Sequence, residues 1–591
     1  MKFKWSLAPS QPLLAGQLAS RLKIPALLAQ CLLNRGLSDA PVLESFLEPR
    51  LKNLADPFLL PNMDKAVDRL LKAREQNETV IIFGDYDVDG VTSTTLLVEV
   101  LRPLGWKIEF YLPNRMEEGY GLSTDGVNNC LKKFSVADVK PNTVLLAVDC
   151  GSTSVETIAS LQQRSIDVIV LDHHQVSNPP PAALALVNPQ VGVQASACSG
   201  QPKGWTPTFT ELCSAGLAFK LAHALLKRGR ETNLPGAAEF DLKPLLDLVA
   251  LGTIADLVPL IGENRILVSA GLRQLNQTQR PGIVALKKVS KTENVGVYEV
   301  GFQLAPRLNA SGRLETAEQS LHLLLARSLE EAMPLAENLD TRNRERQKIE
   351  KGIAAEVIDA IRAKFDAQNH FVIVEGQLLW HIGVVGIVAS RVLHEFYRPT
   401  IIIGGENGEM RGSGRSIAGF DLAAALRECN HLLVRHGGHA MAAGLSILPD
   451  KIDLLREKLN EVARRHLKPD DLQPLLRLDA EVGLDEINFE TLNHIDRLKP
   501  CGQANPTVQF CSRNLSHARP LQRMGADKQH VKMWVTDGAA RHEAVWWNGG
   551  EASLPVGKFD LAFVPQINEY NGNRTVQLKV LDWQPAGRPA I

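Results

Sequence analysis

Six aspartates and two histidines in the first half of the chain each stand directly behind an apolar run, which is where chemistry is expected. Asp85, Asp87 and Asp89 follow the run 80–83 within Gly84-Asp85-Tyr86-Asp87-Val88-Asp89-Gly90. Asp149-Cys150-Gly151 follows 144–148, Asp172-His173-His174 follows 168–171, and Asp256 closes the apolar stretch 245–255. Hard carboxylate oxygens with some imidazole suit Mg²⁺ or Mn²⁺, whereas zinc more often recruits cysteine. A carboxylate bridging two such ions sets them about 3.5–4 Å apart, a spacing that clamps the attacking and leaving oxygens of a phosphodiester. Asp after a strand is also an ordinary helix cap or turn residue. One such position means little, but the whole set points to a two-metal phosphoesterase site.

The elements that must position these groups are legible in the same stretch. Short β-branched runs followed by amphipathic segments of helical length read as strands of a parallel α/β sheet. Ligands of such sheets collect in the crevice beyond the carboxyl ends of the strands. Residues spaced roughly 25 to 65 positions apart therefore converge.

At 591 residues the chain exceeds one core and is expected to hold three or four domains. Its 45% hydrophobic and 22% charged content is that of an ordinary globular protein. A net charge of −1 means that any nucleic-acid surface must be a local patch. No secretory signal is evident in Met1-Lys2-Phe3-Lys4-Trp5, and no apolar run reaches membrane-span length. The eight cysteines form no CxxC pairs, so a reduced, cytoplasmic protein is expected.

Five segments are expected along the chain. Residues 1–60 form a helical lead-in without evident chemistry, and 61–315 carry the strand-and-acid pattern. A bridging helix occupies 316–365: Ser328-Leu329-Glu330-Glu331 matches a capping box, and Ile349, Ile353, Val357 and Ile361 recur every fourth position. Pro334 marks a kink or the true helix start. Residues 366–465, opening on the strand-like Phe371-Val372-Ile373-Val374, form a smaller α/β unit. In 466–591, alternation over 558–564 and 575–581 flanks the hairpin signal Asn571-Gly572. Several short strands there suit a small β-barrel such as an OB-fold. Its tryptophans, 534, 546, 547 and 583, are expected mainly as core or half-buried residues, with base stacking as the alternative.

Other clusters carry phosphate-binding chemistry. After the strand 108–112, Arg115 is suited to hold a phosphate and Tyr120 to stack on a base or sugar, though a surface loop explains both equally well. Arg307-Leu308-Asn309-Ala310-Ser311-Gly312-Arg313 packs two guanidinium groups and an amide into seven positions. Arg342, Arg344 and Arg346 alternate with acids, the pattern of a solvated helix face. In the smaller α/β unit, residues 381–386, Arg411-Gly412-Ser413-Gly414-Arg415-Ser416 and Arg435-His436-Gly437-Gly438-His439 are three Gly-rich pieces. Glycines admit a phosphate close to the backbone while Arg and Ser donate to it, so a phosphate-binding face opposite the metals is expected.

GDYDVDG, the Asp-His-His run, HIGVVGIVASR, GSGRS and GGHAMAAG together resemble the DHH phosphoesterase superfamily. The order DYDVDG, PNRMEEGYGL, VDCG, DHH, VNP, GTIADLVPL, APRLNASGRL is similar to its bacterial RecJ branch of single-strand-specific exonucleases. The resemblance covers nearly everything after residue 60. It implies an α/β fold: a DHH-type parallel-sheet domain, a smaller DHH-associated domain joined to it by a long helix, and a C-terminal OB-fold barrel. Single-stranded DNA would thread between the two lobes and be digested 5′→3′ to mononucleotides, with two Mg²⁺ or Mn²⁺ ions as cofactor.

Carried over by motif, Asp87, Asp89, Asp149, His173 and Asp256 would be metal ligands, and Asp85 a ligand or a supporting carboxylate. Asp172 would orient His173, and His174 would face the scissile phosphate. Arg115, Ser413 and Arg415 would grip the 5′ phosphate, Tyr120 would stack, and Arg307, Asn309, Arg313 and His439 would line the strand path. The resemblance also implies a monomer, and a single-strand-binding protein or a recombination helicase as partner. One segment departs from the family pattern: Cys501 and Ala504 stand where Phe and Gly are usual.

Two other readings fit the same residues. One keeps the chemistry but turns it on RNA, oligoribonucleotides or cyclic dinucleotides; small substrates have no need for about 120 residues of strand-rich tail, since OB-folds are platforms for single strands. The other is a non-catalytic single-strand-binding scaffold, against which the intact acids and His173 argue.

Overall fold

The computed structural model describes residues 3–114, 118–119, 121–134, 143–191, 209–314, 316–405, 408–570 and 572–587. The chain divides into two compact units. One comprises Glu44–Arg344 with Leu498–Pro506, the other Met1–Leu43, Glu345–Arg497 and Thr507–Ile591.

The first unit is built on a five-stranded parallel sheet. Its strands lie in the order Lys107–Tyr111, Thr79–Gly84, Thr143–Val148, Asp167–Leu171, Ala185–Val187. All six residues of Thr143–Val148 are buried, as a strand covered on both faces requires. The strand order reverses between Thr79–Gly84 and Thr143–Val148, so Asp85 to Asp89 and Asp149 emerge at the topological switch point.

The stretch before Asp256 is not a strand. It forms the helix Leu246–Ala255, buried from Leu246 to Ile254. A helix enclosed on all sides needs no polar face, so its sequence lacks the 3.6-residue period and reads like a buried strand.

The helix Leu329–Lys364 runs for 36 residues with Pro334 inside it, so the proline does not mark its start. Ser328 Oγ accepts the Glu331 N–H at 3.2 Å, while the Glu331 carboxylate accepts from the Arg327 N–H (2.9 Å) instead of that of Ser328. Ile353, Val357 and Ile361 pack against Val384, Val388 and Ile402, whereas Ile349 of the same stripe is exposed.

In the second unit, the sheet of the smaller α/β domain has the order Leu433–Gly438, Ala442–Ile447, Met410–Arg415, Thr400–Gly404, Ile373–Gly376. Further on, Phe510–Met524, His530–Thr536, Arg541–Trp546, Asn573–Pro585 and Phe559–Tyr570 pair in that order, and the last pairs back with the first. A closed five-stranded ring of this kind is the OB barrel. Trp534, Trp546 and Trp583 are half-buried, and Trp547 is exposed.

The first residues are not purely helical. The strand Lys4–Leu7 pairs in parallel with Leu475–Leu478, and Trp5 Nε1 donates to Asp582 at 3.0 Å.

Candidate metal centre

The centre begins with a loop that turns straight into a helix. Strand Thr79–Gly84 ends, and Asp87 caps Val88–Leu101 by accepting from the N–H groups of Asp89 (2.9 Å) and Gly90 (3.2 Å). Gly90 is required: a Cβ there would lie 2.4 Å from the Asp85 carbonyl. Asp89 is itself buried, and its carboxylate receives the Ser214 N–H (2.7 Å) and the Ala215 N–H (2.8 Å). Those are the first two amides of the helix Ser214–Glu231, so a carboxylate from a distant loop completes the helix end.

Asp149 holds a left-handed backbone (φ 64°), a strained state for a non-glycine residue that costs about 1–3 kcal/mol. Its carboxylate accepts from Ser214 Oγ at 3.0 Å. Asp172 collects the N–H groups of Ser152 (2.9 Å), His173 (2.8 Å) and His174 (3.1 Å), and lies 2.8 Å from His174 Nδ1. The ring it orients is thus that of His174, not His173, because the chain turns immediately after the strand. His173 instead lies with Nε2 3.4 Å from Asp149, 3.5 Å from Asp256 and 3.8 Å from Asp89.

Donor atoms fall into three overlapping groups, each within 4.8 Å: Asp85 with Asp87 and Asp149; Asp89 with His173 and Asp256; Asp149 with His173 and His174. Burial, reinforced by Asp89 and Asp87, pushes the Asp256 carboxyl up to about 8. Burial and four neighbouring aspartates raise Asp149 well above the carboxylate range. Burial lowers His173, whereas for His174 burial is outweighed by the bond and charge of Asp172, which lift it to about 9. His173 Nε2 is buried without a hydrogen-bond partner among the described residues. Crowded, desolvated carboxylates around an unpaired imidazole nitrogen are satisfied by divalent cations, and the hard donor set suits Mg²⁺ or Mn²⁺.

Several residues of this centre were not among the predicted site residues, although Asn188 lies within VNP and Gly252 opens GTIADLVPL. Ser214 contributes a backbone and a hydroxyl donor. Gly252 lies where a Cβ would stand 2.6 Å from Thr92 Oγ1 and 2.8 Å from Asp89 Oδ1. Asn188 bonds Ser152 Oγ (2.9 Å) and the His174 carbonyl (2.8 Å). Gly252 and Asn188 could have been found from the motifs that contain them and from the cue of a glycine in an apolar run, whereas Ser214 has no such signal.

The arginine-rich segment supports the metal loop. Within the helix Ala305–Leu314, Asn309 accepts the Val88 N–H at 3.1 Å, and a Cβ on Gly312 would stand 2.9 Å from the Tyr86 carbonyl. Arg307 pairs with Asp340 at 2.9 Å. The Arg313 side chain, Arg115 and Tyr120 lie outside the described residues. Among the described residues, buried Glu118 accepts from Tyr111 (2.6 Å), Asn129 (2.5 Å) and the Asn114 N–H (2.9 Å).

In the sheet of the smaller α/β domain the three Gly-rich pieces come together. A Cβ on Gly386 would lie 2.9 Å from Ser413 Oγ and 3.1 Å from Arg415 Nη2. Ser413 pairs in register with Gly444, and Arg415 with Ala442, whose carbonyl accepts the His439 N–H at 2.8 Å. The His439 side chain is exposed.

Family models match in the same order as these parts: DHH family, N-terminal domain over 79–253, DHHA1 domain over 368–465 and RecJ OB domain over 478–582. The single-stranded-DNA-specific exonuclease RecJ of Bacillus subtilis is 36% identical over 98% of this chain and 71% of its own. That of Dickeya dadantii is 36% identical over 94% and 96% respectively. The crystal structure of Thermus thermophilus RecJ with Mn²⁺ superposes at a TM-score of 0.82 and 26% identity, covering 99% of this chain and 80% of that one. A Mg²⁺ complex of the same Thermus protein also matches, at 0.76. With all three domains in order and relatives more than one-third identical along almost its whole length, this chain belongs to the RecJ family.

Proposed function

We propose that the protein is a single-stranded-DNA-specific 5′→3′ exonuclease of DNA repair and recombination, releasing mononucleotides by phosphodiester hydrolysis with Mg²⁺ or Mn²⁺. The observation that carries this reading is the convergence of Asp85, Asp87, Asp89, Asp149, His173 and Asp256 at one sheet edge. Divalent ions bound there supply an activated water and neutralise charge on the phosphate oxygens.

The chain's own side chains do the rest. Asp87, Asp89, Asp149, His173 and Asp256 hold the ions, with Asp85 beside them. Asp172 keeps His174 protonated and oriented through Nδ1, leaving Nε2–H to donate to the scissile phosphate. Ser413 and Arg415 grip a terminal phosphate, with Gly386 leaving room for their two side chains. Arg115, Tyr120, Arg313 and His439 are assigned to the substrate path by motif. Asn309 braces the metal loop through the Val88 N–H, and Arg307 is held by Asp340 of the helix Leu329–Lys364.

The closed OB barrel supports a polymeric single strand over cyclic dinucleotides as substrate, because such barrels are strand platforms. The enzyme acts as a monomer in the cytoplasm, on strands bound by a single-strand-binding protein or opened by a recombination helicase. Seven described cysteines are free thiols, as a reducing compartment favours.

Digestion of end-labelled single-stranded and duplex DNA and of RNA, with Mn²⁺ or EDTA, tests the reading. Mononucleotides appearing first from the 5′ end of single-stranded DNA, only with metal and not with Asp149→Ala, are expected. Intact DNA beside degraded RNA or dinucleotides would replace the substrate, and no cleavage anywhere would leave a binding scaffold. Arg415→Ala should weaken the preference for a 5′-phosphorylated end; equal losses on phosphorylated and hydroxyl ends would reassign it to general backbone binding.

A further inference from the structure

Glu263, Asn264 and Arg265, at the start of the helix Gly262–Gln277, are all buried, and each reaches a different segment of the catalytic unit. Glu263 pairs with Lys220, which is 1% exposed, in the helix whose first amides hold Asp89. The Asn264 amide donates to the Glu211 carbonyl (2.5 Å) and to the Pro259 carbonyl (3.0 Å). Glu211 stands just before Ser214, and Pro259 just after Asp256, so one side chain ties together the two backbone approaches to the metal site. Arg265 donates to the carbonyls of Phe46 (2.7 Å), Lys499 (2.8 Å), Leu498 (2.9 Å) and Pro500 (3.2 Å). A buried guanidinium is tolerated only when its donors are satisfied, so this fan of carbonyls is a designed seat and not a chance contact.

The seated segment, Leu498–Pro506, returns the contact. Its Gln503 carbonyl accepts the Leu260 N–H at 2.8 Å, and a Cβ on Gly502 would lie 2.7 Å from Leu260 Cδ1. Gly502 and Asn505 exchange both backbone hydrogen bonds (2.8 and 3.1 Å), with Ala504 held at φ 58° between them. The chain from Asp256 to Leu260 is therefore held at Pro259 by Asn264 and at Leu260 by Gln503, while Arg265 holds the segment that carries Gln503.

We infer that Glu263-Asn264-Arg265 and the segment Leu498–Pro506 are positioning residues that set Asp256 against Asp89 and thereby tune divalent-metal affinity. The inference rests on the metal-centre reading above. None of these residues touches substrate or ion; they act through the two carboxylates. Partners of metal ligands typically change affinity or activity about 10- to 100-fold when removed.

The test is calorimetric Mn²⁺ titration of the full-length protein, with kcat and KM on a single-stranded oligonucleotide, for Asn264→Ala, Gly502→Ala and Arg69→Met. Arg69 pairs with Glu78 and Asp167 at the opposite ends of the strands, so its loss reports general destabilisation. Asn264→Ala and Gly502→Ala should weaken Mn²⁺ binding about tenfold or more and lower kcat at limiting metal, with KM for DNA unchanged. Arg69→Met should lower only the melting midpoint. Wild-type Mn²⁺ affinity in a folded Asn264→Ala or Gly502→Ala protein overturns the proposal. Gly502→Ala, which deletes no hydrogen bond, decides the matter should Asn264→Ala fail to fold. If the wild-type protein binds Mn²⁺ but leaves DNA intact, the substrate reading falls while the titrations still judge the positioning role.

Discussion

Asp172 Oδ1 lies 2.8 Å from Nδ1 of His174 and accepts the N–H groups of His173 and His174 as well. One carboxylate thus sets both the ring and the backbone of the Asp-His-His turn. Asp172→Asn should lower kcat on single-stranded DNA by about 10²-fold or more. It should also bring the His174 pKa down from about 9, because burial alone lowers it. The raised His174 pKa contributes stability that is complete below its ordinary value of 6.5 and lost as pH rises through about 9. Urea unfolding of the metal-free protein across that window should show the loss in the wild type, and a flatter profile in Asp172→Asn.

Metal binding should be proton-linked. Asp256 is pushed up to about 8 by burial and by Asp89 and Asp87, and a carboxyl must lose its proton to ligate. Mn²⁺ affinity is expected to fall as pH drops below about 8, by at most about tenfold per unit for each proton displaced. Calorimetric titration in two buffers of different ionisation enthalpy would measure the protons released. A pH-independent affinity would remove Asp256 from the ligand set.

Gly252→Ala places a methyl group among Thr92, Ala215 and Asp89, within 2.8 Å of each. Overpacking of this kind costs about 1–3 kcal/mol. The expected result is a lower melting midpoint and weaker Mn²⁺ binding together, since Asp89 is one of the crowded atoms. Retained affinity with reduced stability would show that the helix shifts without moving the carboxylate.

Asp582→Ala leaves Trp5 Nε1 buried without its acceptor at 3.0 Å. An orphaned buried donor costs about 1–3 kcal/mol. Chemical denaturation followed by tryptophan fluorescence should report that loss, with kcat per folded molecule unchanged.

Much of the metal centre was legible because each parallel strand releases its chain at the same sheet edge. Asp85, Asp87, Asp89, Asp149, His173 and His174 need only that rule to converge. The stretch before Asp256 shows no helical signature in sequence because burial on every side erases helical periodicity. Asp172's true partner depended on a turn only two residues long, which no spacing rule resolves.

What the sequence by itself determined is therefore the chemistry of the site, the order of its parts and the family they resemble. The motifs are local, and residue type alone sets a donor's hardness and charge. Only tertiary structure decided that Ser214 holds both Asp89 and Asp149, that Asn309 serves the metal loop, and that Leu498–Pro506 lies on Arg265 in the catalytic unit. Those roles rest on backbone amides and carbonyls brought together from far apart in the chain. Every residue owns such groups, so they leave no mark in the order of side chains.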